Sequence, residues 1–315
     1  MAKKFKPKEI GNKGGLVSTR HSISLSNGSN TILYSNPRAV RKGERSEHIR
    51  DAKVRILNRL PKQEGQFRKA MLDAIVEVER VLLLSDQKRD SDGQLRVKNK
   101  REAQRKIRKI VKEKMVKVAG LIESNIQGAV KTYLIGVNRA AGDFGQINRT
   151  QINDLSTKIT SSVLREKVND VNTGDRLDVL AKRMATVLET QVLKSRKERE
   201  QGLSLLKKRL IDPKGSQRAC IARGLARINR TEKNKAMHKA TLSAIQDLGV
   251  DYAYWRLSVS HKSYGGTEVC EVLASSSNVS DSLPASLSRT GLYRVDAFPE
   301  VPHANCMCSI EPLFR

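Results

Sequence analysis

Residues 98–126 read KNKREAQRKIRKIVKEKMVKVAGLIESNI, and this stretch decides the fold. Ile107, Ile110, Val111, Met115, Val118, Ile122 and Ile126 recur every three or four positions, the spacing that lays one apolar stripe along an α-helix. Lys98, Lys100, Arg101, Arg105, Lys106, Arg108, Lys109, Lys112 and Lys114 crowd the remaining faces. The pattern predicts a long basic amphipathic helix. Its cations suit either the solvated face of a bundle or a surface turned to DNA or to an acidic partner.

The same period extends to both sides. Phe67, Met71, Ile75, Val78 and Leu82, with Leu72, Val76 and Leu83 beside them, predict a helix over about 65–85. Ser85 to Gly93 (SDQKRDSDG) is a polar break dense in turn residues. Gly136 to Gly145 (GVNRAAGDFG) is predicted to be a linker or turn; it lacks the Gly-Lys-Ser/Thr ending of a P-loop, so no nucleotide is expected there. Further on, Leu155, Ile159, Val163 and Leu164 are followed by Leu177, Leu180, Met184, Val187, Leu188 and Gln191. Asn172 to Asp175 (NTGD) separates these two helices, with Thr173 or Asp175 able to cap the second. After a turn at Asp212 to Gly215, apolar residues from Ile221 to Ile245 define another helix, with Gly249 as its C-terminal stop. Cys220 and His238 on this segment are read as core residues rather than ligands.

From Val250 the pattern changes. Tyr252, Tyr254 and Arg256 alternate with Ala253, Trp255 and Leu257, which predicts a strand, and Ser275 to Thr290 is a Ser-rich loop. These last residues hold little core for a folded unit, so a staple is expected. The residues for one are present: Cys270, then His303, Cys306 and Cys308 in a His-x2-Cys-x-Cys cluster. Three thiolates and one imidazole form a donor set that suits tetrahedral structural Zn²⁺. His303 is taken ahead of His261 as the nitrogen ligand.

Composition sets the frame. Lys and Arg number 60 against 33 Asp and Glu, a formal charge of +27 on 315 residues, and charge of that size calls for an anionic partner. Aromatic residues are only 4%, too few for the stacking platforms that grip single strands, so duplex DNA met through its phosphates is the expected nucleic acid. Lys3, Lys4, Lys6 and Lys8 lie in a basic arm over residues 1–48 that is expected to be disordered until bound. They join Arg105, Lys109 and Lys112 as the candidate nucleic-acid contacts. No apolar run approaches the length of a membrane span, and MAKKFKPKEI lacks the centre of a signal peptide, so synthesis in the cytosol with reduced thiols is expected. The chain then divides into an arm at 1–48, a basic helical region at 49–145, a helical body at 146–249 and a small zinc-binding domain at 250–315. The expected fold is mainly α, an elongated helical body with a small zinc-stapled α+β C-terminal domain.

Several blocks in this order carry a family resemblance. RINRTEKNKAMHKA (Arg227 to Ala240), YWRLSVSHK (Tyr254 to Lys262), EVCEVLA (Glu268 to Ala274), GLY (Gly291 to Tyr293) and the closing VPHANCMCSIEPL resemble the C-terminal half of the phage minor head proteins, the Mu protein F-like head morphogenesis family. The family pattern is an Arg-Thr-Glu helix, a Trp-bearing strand, a cysteine segment and a closing Pro-His-Pro-x-Cys-Arg-Cys. Here Ala304 and Met307 replace the second Pro and the Arg, and Thr267 stands where many members have the first Cys of a Cys-x-x-Cys pair. Residues 1 to about 150 show no family pattern.

The resemblance implies a virion structural protein of a tailed phage. It would lie inside the capsid near the portal, contact the portal and other head proteins, and act in head assembly and DNA packaging or delivery. It would be made in the bacterial host cytoplasm, with no small-molecule substrate. The alternative is a sequence-indifferent nucleic-acid-binding protein with a structural zinc domain. An enzyme such as a metal-dependent nuclease is not expected, because three cysteines and a histidine would close the metal shell that catalysis needs open. Glu232 is the one carboxylate worth testing for catalysis, set against a place on the helix surface or an ion pair with Arg227 or Lys235.

Overall fold

The computed structural model describes residues 21–23, 32–34, 44–85, 87–142, 147–167, 170–211, 221–257, 268–279, 290–302, 306 and 308–314. In chain order these form β1 (His21–Ile23), β2 (Ile32–Tyr34), α1 (Glu44–Asn58), α2 (Leu60–Leu84), β3 (Gln87–Arg89) and β4 (Leu95–Val97). Next come α3 (Lys100–Ala141), α4 (Arg149–Arg165), α5 (Thr173–Glu189), α6 (Arg196–Ile211) and α7 (Ile221–Asp247). The chain finishes with β5 (Tyr252–Arg256), α8 (Val269–Ser275), β6 (Leu292–Arg294) and β7 (Ser309–Pro312). The fold is mainly helical, with a small antiparallel sheet near the C-terminus.

Contacts group the chain into two compact units that are discontinuous in sequence. One comprises Met1–Pro61, Gln127–Ile159 and Lys233–Arg315; the other comprises Lys62–Ile126 and Thr160–Glu232. Composition alone divides the chain at 48, 145 and 249 instead. The grouping differs because α2, α3, α4 and α7 each have residues in both units, so no boundary falls in a linker.

In the second unit the apolar periods do what they predict. Ile107, Val111, Val118, Ile122 and Ile126 of α3 are buried, as are Phe67, Met71, Ile75, Val78 and Leu82 of α2. The flanking row fares differently, with Val76 and Leu83 left exposed. The polar break after α2 is an antiparallel hairpin, Gln87 opposite Val97 and Arg89 opposite Leu95. Asp90 closes it by accepting the amides of Asp92 at 3.1 Å and Gln94 at 2.8 Å and by pairing with Arg96. At NTGD the cap is neither Thr173 nor Asp175 acting alone. Asn172 accepts the Asp175 amide, and the Asp175 carboxylate accepts the Asn172 amide, both at 2.9 Å, a reciprocal capping box.

In the first unit, β1 and β2 pair antiparallel within the stretch expected to be an arm without order, and α1 begins at Glu44, inside that stretch. The expected linker at Gly136 is corrected as well, since α3 continues through Ala141. Glycine is needed there for close approach: a Cβ on Gly136 would lie 2.5 Å from the Ala52 Cβ and 2.9 Å from the His48 carbonyl of α1. Gly249 ends α7 as expected. With φ +67 it lets its own amide reach the Gln246 carbonyl and the Val250 amide reach that of Ile245.

The sheet has the order β6-β5-β7, all antiparallel. Successive residues of β5 point to opposite faces, and both faces are covered. Tyr254 packs with Leu292 and Leu313 on one side, while Trp255 packs with Tyr293 and three cysteines on the other. Pro312, which cannot donate to a ladder, sits on the edge strand β7.

Candidate metal centre

Cys270 is the second residue of α8, and Cys306 and Cys308 lead into β7. Cys306 and Cys308 pack in one buried cluster with Trp255, which pairs with Ile310 of β7. The Cys-x-Cys spacing therefore delivers two thiols to one place, and α8 brings the third. The three Sγ atoms lie within 4.8 Å of one another, and those of Cys270 and Cys306 are 3.7 Å apart. A tetrahedral zinc–thiolate site with bonds of about 2.3 Å has sulfur–sulfur edges of about 3.8 Å, so these three residues fit such an ion. All three are buried and free of disulfides.

The electrostatics point the same way. The thiol of Cys270 is pushed far up by its sulfur contacts with Cys306 and Cys308 and by burial. Cys306, whose bond with Cys270 favours the thiolate while its bond with Cys308 and its burial oppose it, is pushed up to about 12. The buried thiols of Cys270 and Cys306 are thus held toward the protonated form when alone, and a bound cation would favour their thiolates. Trp255, Tyr293 and Phe298 wall the cluster, with Phe298 stacked on Trp255 at 6.0 Å and edge-on to Tyr293 at 5.6 Å.

Helix α7 supports the site from behind. Its Asn234 Nδ2 donates to the Cys308 carbonyl at 3.3 Å, and its His238 Nε2 meets the same oxygen at 2.9 Å. His238 is buried and packs edge-on against Trp255, with ring centroids 5.4 Å apart. Burial lowers it to about 4, offset in part by the Cys308 carbonyl and reinforced by Lys53. Lys53 of α1 is itself buried and is lowered to about 8, against the pull of Cys308 and Cys306. From the third helix of this unit, the Tyr133 hydroxyl of α3 donates to the Ile310 carbonyl at 2.9 Å.

The structure therefore brings together Cys270, Cys306 and Cys308 of the expected ligand set. His303, its alternative His261, and Cys220 lie outside the described residues. Sequence reasoning treated His238 as a core residue, which it is, but missed that it and Asn234 grip a cysteine carbonyl. Their i, i+4 spacing on a helix was the available signal. Lys53 carried no signal, since one lysine cannot be singled out in so basic a chain.

Of the expected nucleic-acid contacts, Arg105, Lys109 and Lys112 are exposed on α3, while Lys3, Lys4, Lys6 and Lys8 lie outside the described residues. Acidic neighbours neutralise part of this helix. Lys106 pairs with Glu102 at 2.7 Å, Lys114 with Glu77 at 2.7 Å, and Arg108 forks onto Glu189 at 2.6 and 3.0 Å. Lys109 is 4.0 Å from Glu113. Arg101, Arg105 and Lys112 have no ion pair among the described residues and stand on one exposed strip with Lys109. Glu232 is buried and paired with Arg176 of α5 at 2.7 Å.

No helix among the described residues is long and apolar enough to cross a membrane. Comparison with protein-family models, with curated proteins and with solved structures returned no match to this chain.

Proposed function

We propose that this chain is a minor head protein of a tailed phage, lying inside the capsid near the portal and acting in head assembly and DNA packaging or delivery. In this reading α3 faces the phosphate backbone of packaged DNA, and structural Zn²⁺ holds the C-terminal sheet through Cys270, Cys306 and Cys308. The observation that carries the DNA contact is the strip Arg101, Arg105, Lys109 and Lys112. These residues recur every three or four positions along one exposed face, the chain has a formal charge of +27, and phosphate contact needs position and charge rather than base-reading shape. The resemblance of residues 215–313 supplies the virion setting. The thiols of Cys306 and Cys308 beside that of Cys270 on α8 support zinc, whose share here is to replace the missing core of a small sheet.

The chain has no turnover of its own in this reading. Glu232, buried against Arg176, is built as a structural ion pair, and a shell of three sulfurs leaves little Lewis acidity for hydrolysis. Mass spectrometry of purified virions tests the assignment: the chain should be present in a fixed, low ratio to portal protein. The same strip on α3 also favours a free, sequence-indifferent nucleic-acid-binding protein. That reading gains if the chain binds duplex DNA in solution yet is missing from virions.

A further inference from the structure

We propose that the cysteine cluster is a redox-switched staple: once the metal leaves, Cys270 and Cys306 join in a disulfide that holds α8 to the chain entering β7 in the ion's place. This rests on the reading of the cluster as a metal centre and names what regulates that site.

The geometry selects the pair. The sulfurs of Cys270 and Cys306 are 3.7 Å apart and belong to residues 36 positions apart in sequence. An approach of about 1.7 Å brings them to the length of a disulfide bond. That bond would join the same two pieces of chain that the ion joins, and closing a long loop restricts the unfolded chain as well. Cys306 and Cys308 are two positions apart, so a bond between them would tie together nothing that the backbone does not already hold. Cys308, within 4.8 Å of both other sulfurs, then stays reduced beside the bond, placed to reopen it by exchange.

One side of the cluster is anchored and the other can give. The Cys308 carbonyl is held by Asn234 at 3.3 Å and by His238 at 2.9 Å, and the Ile310 carbonyl by Tyr133 at 2.9 Å. Helix α8 is held at its far end, where the Tyr293 hydroxyl donates to the Leu273 carbonyl at 2.7 Å and the Gly291 amide to that of Ser276 at 2.8 Å. Its first turn carries Cys270 as second residue, with Val269 and Val272 exposed on either side. A helix of seven residues does not hold its own first turn, so release of the Cys270 sulfur by the ion opens the buried cluster from this end.

A small disulfide is the oxidant class that this arrangement suits. Cys270 Sγ attacks one of its sulfurs and expels one small thiol, leaving a mixed disulfide on Cys270. Cys306 Sγ then attacks the Cys270 sulfur and expels the second. Two protein thiols give up two electrons and two protons, and the small disulfide takes both to become two thiols. Thiols stay reduced in cytoplasm, whereas disulfides persist outside it. A protein made in a host cytoplasm and carried out in a virion meets both conditions, and the sheet keeps a staple in each.

The test uses the full chain and glutathione disulfide. Zinc-loaded and chelator-stripped samples are incubated with it, remaining thiols are alkylated, and peptides are mapped by mass spectrometry without reduction. The stripped chain should yield the Cys270–Cys306 linkage, the zinc-loaded chain should resist it, and a dithiol should reverse it. The near-ultraviolet signal of Trp255 lost on stripping should return as the bond closes. Cys308→Ser should keep the linkage and Cys270→Ser lose it, and the wild-type map stands by itself should either variant fail to fold. Thiols left unlinked in the stripped chain, a different pairing, equal oxidation with zinc bound, or a linkage that leaves the Trp255 signal lost each overturns the switch while leaving the metal centre in place. A wild-type chain that takes up no Zn²⁺ overturns the metal centre itself, and the switch with it.

Discussion

His238 Nε2 lies 2.9 Å from the carbonyl oxygen of Cys308, and this contact ties α7 to the cysteine cluster. The acceptor is a carbonyl, so the hydrogen of the neutral ring sits on Nε2. Asn234, one turn earlier, donates to the same oxygen at 3.3 Å. The two donors share one acceptor, so removing either should leave the other in place.

Single changes, Asn234→Ala or His238→Phe, are therefore expected to cost about 1 kcal/mol each through the lost bond, and the double change more than their sum. Urea unfolding of the four chains in a double-mutant cycle measures this. Strict additivity would mean that the two bonds act independently.

Metal analysis of the purified chain should return about one Zn²⁺, and Cys306→Ser with Cys308→Ser should abolish it. A small sheet with little core draws its folding energy from the ion, so near-ultraviolet circular dichroism of Trp255, buried against the cluster, should collapse in the double variant and on chelation. A chelated chain that keeps a cooperative Trp255 signal would show that the cysteines merely pack.

Gly136 and Gly128 lie two turns apart on α3 and should respond with opposite sign. Gly136→Ala forces a Cβ against Ala52 and the His48 carbonyl and is expected to lose about 1–3 kcal/mol, part of it recovered by Ala52→Gly. Nothing lies within 4 Å of a Cβ at Gly128, so Gly128→Ala should gain up to about 1 kcal/mol from helix propensity. Thermal unfolding of the three variants decides between packing and propensity.

The helices were legible in the sequence because their apolar period is a local property. Ile107 to Ile126 sits in the core for the reason its spacing gives, and Cys306 and Cys308, two positions apart in sequence, bring their thiols to one place. What was not legible depends on a distant neighbour. Gly136 looks like a turn residue until α1 is laid against it, and nothing near Glu232 in sequence announces its pair with Arg176 of α5. Asn172 was passed over as a cap because Thr173 and Asp175 stood beside it, and only the backbone geometry chooses among them. Lys53 is one of 60 Lys and Arg residues, and its burial follows from tertiary packing alone.

The β3–β4 hairpin should respond to acid. Asp90 is held below the usual aspartate range, chiefly by the Arg96 guanidinium and then by the Gln94 amide. A carboxylate whose folded pKa lies below its unfolded value adds stability above that unfolded value, about 3.9, and loses it as the pH falls through the folded one. Protection of the Gln94 amide from hydrogen exchange should therefore fall below about pH 4, relative to its value at pH 6. Asp90→Asn should be less protected at pH 6 and show no further step. Equal protection in both chains across the range would mean that the carboxylate contributes nothing to the turn.

The strip on α3 yields the prediction that bears most directly on function. Arg105, Lys109 and Lys112 are exposed and make no contact on which the packing of α3 depends, since its buried stripe runs through Ile107, Val111 and Met115. Reversing all three to Glu should leave the unfolding midpoint within the small range usual for surface changes, about 0.5 kcal/mol per site. Binding to duplex DNA should weaken, and more at low salt than at high, because each phosphate contact contributes about 0.9 to the slope of log affinity against log salt. Loss of all three contacts would lower that slope by about 2.7. Filter binding across a salt series reads both quantities from one experiment. A triple-reversed chain that keeps the wild-type slope would assign the DNA contact to another basic surface; one that loses its slope while virions still incorporate it at the normal level would separate DNA binding from head assembly.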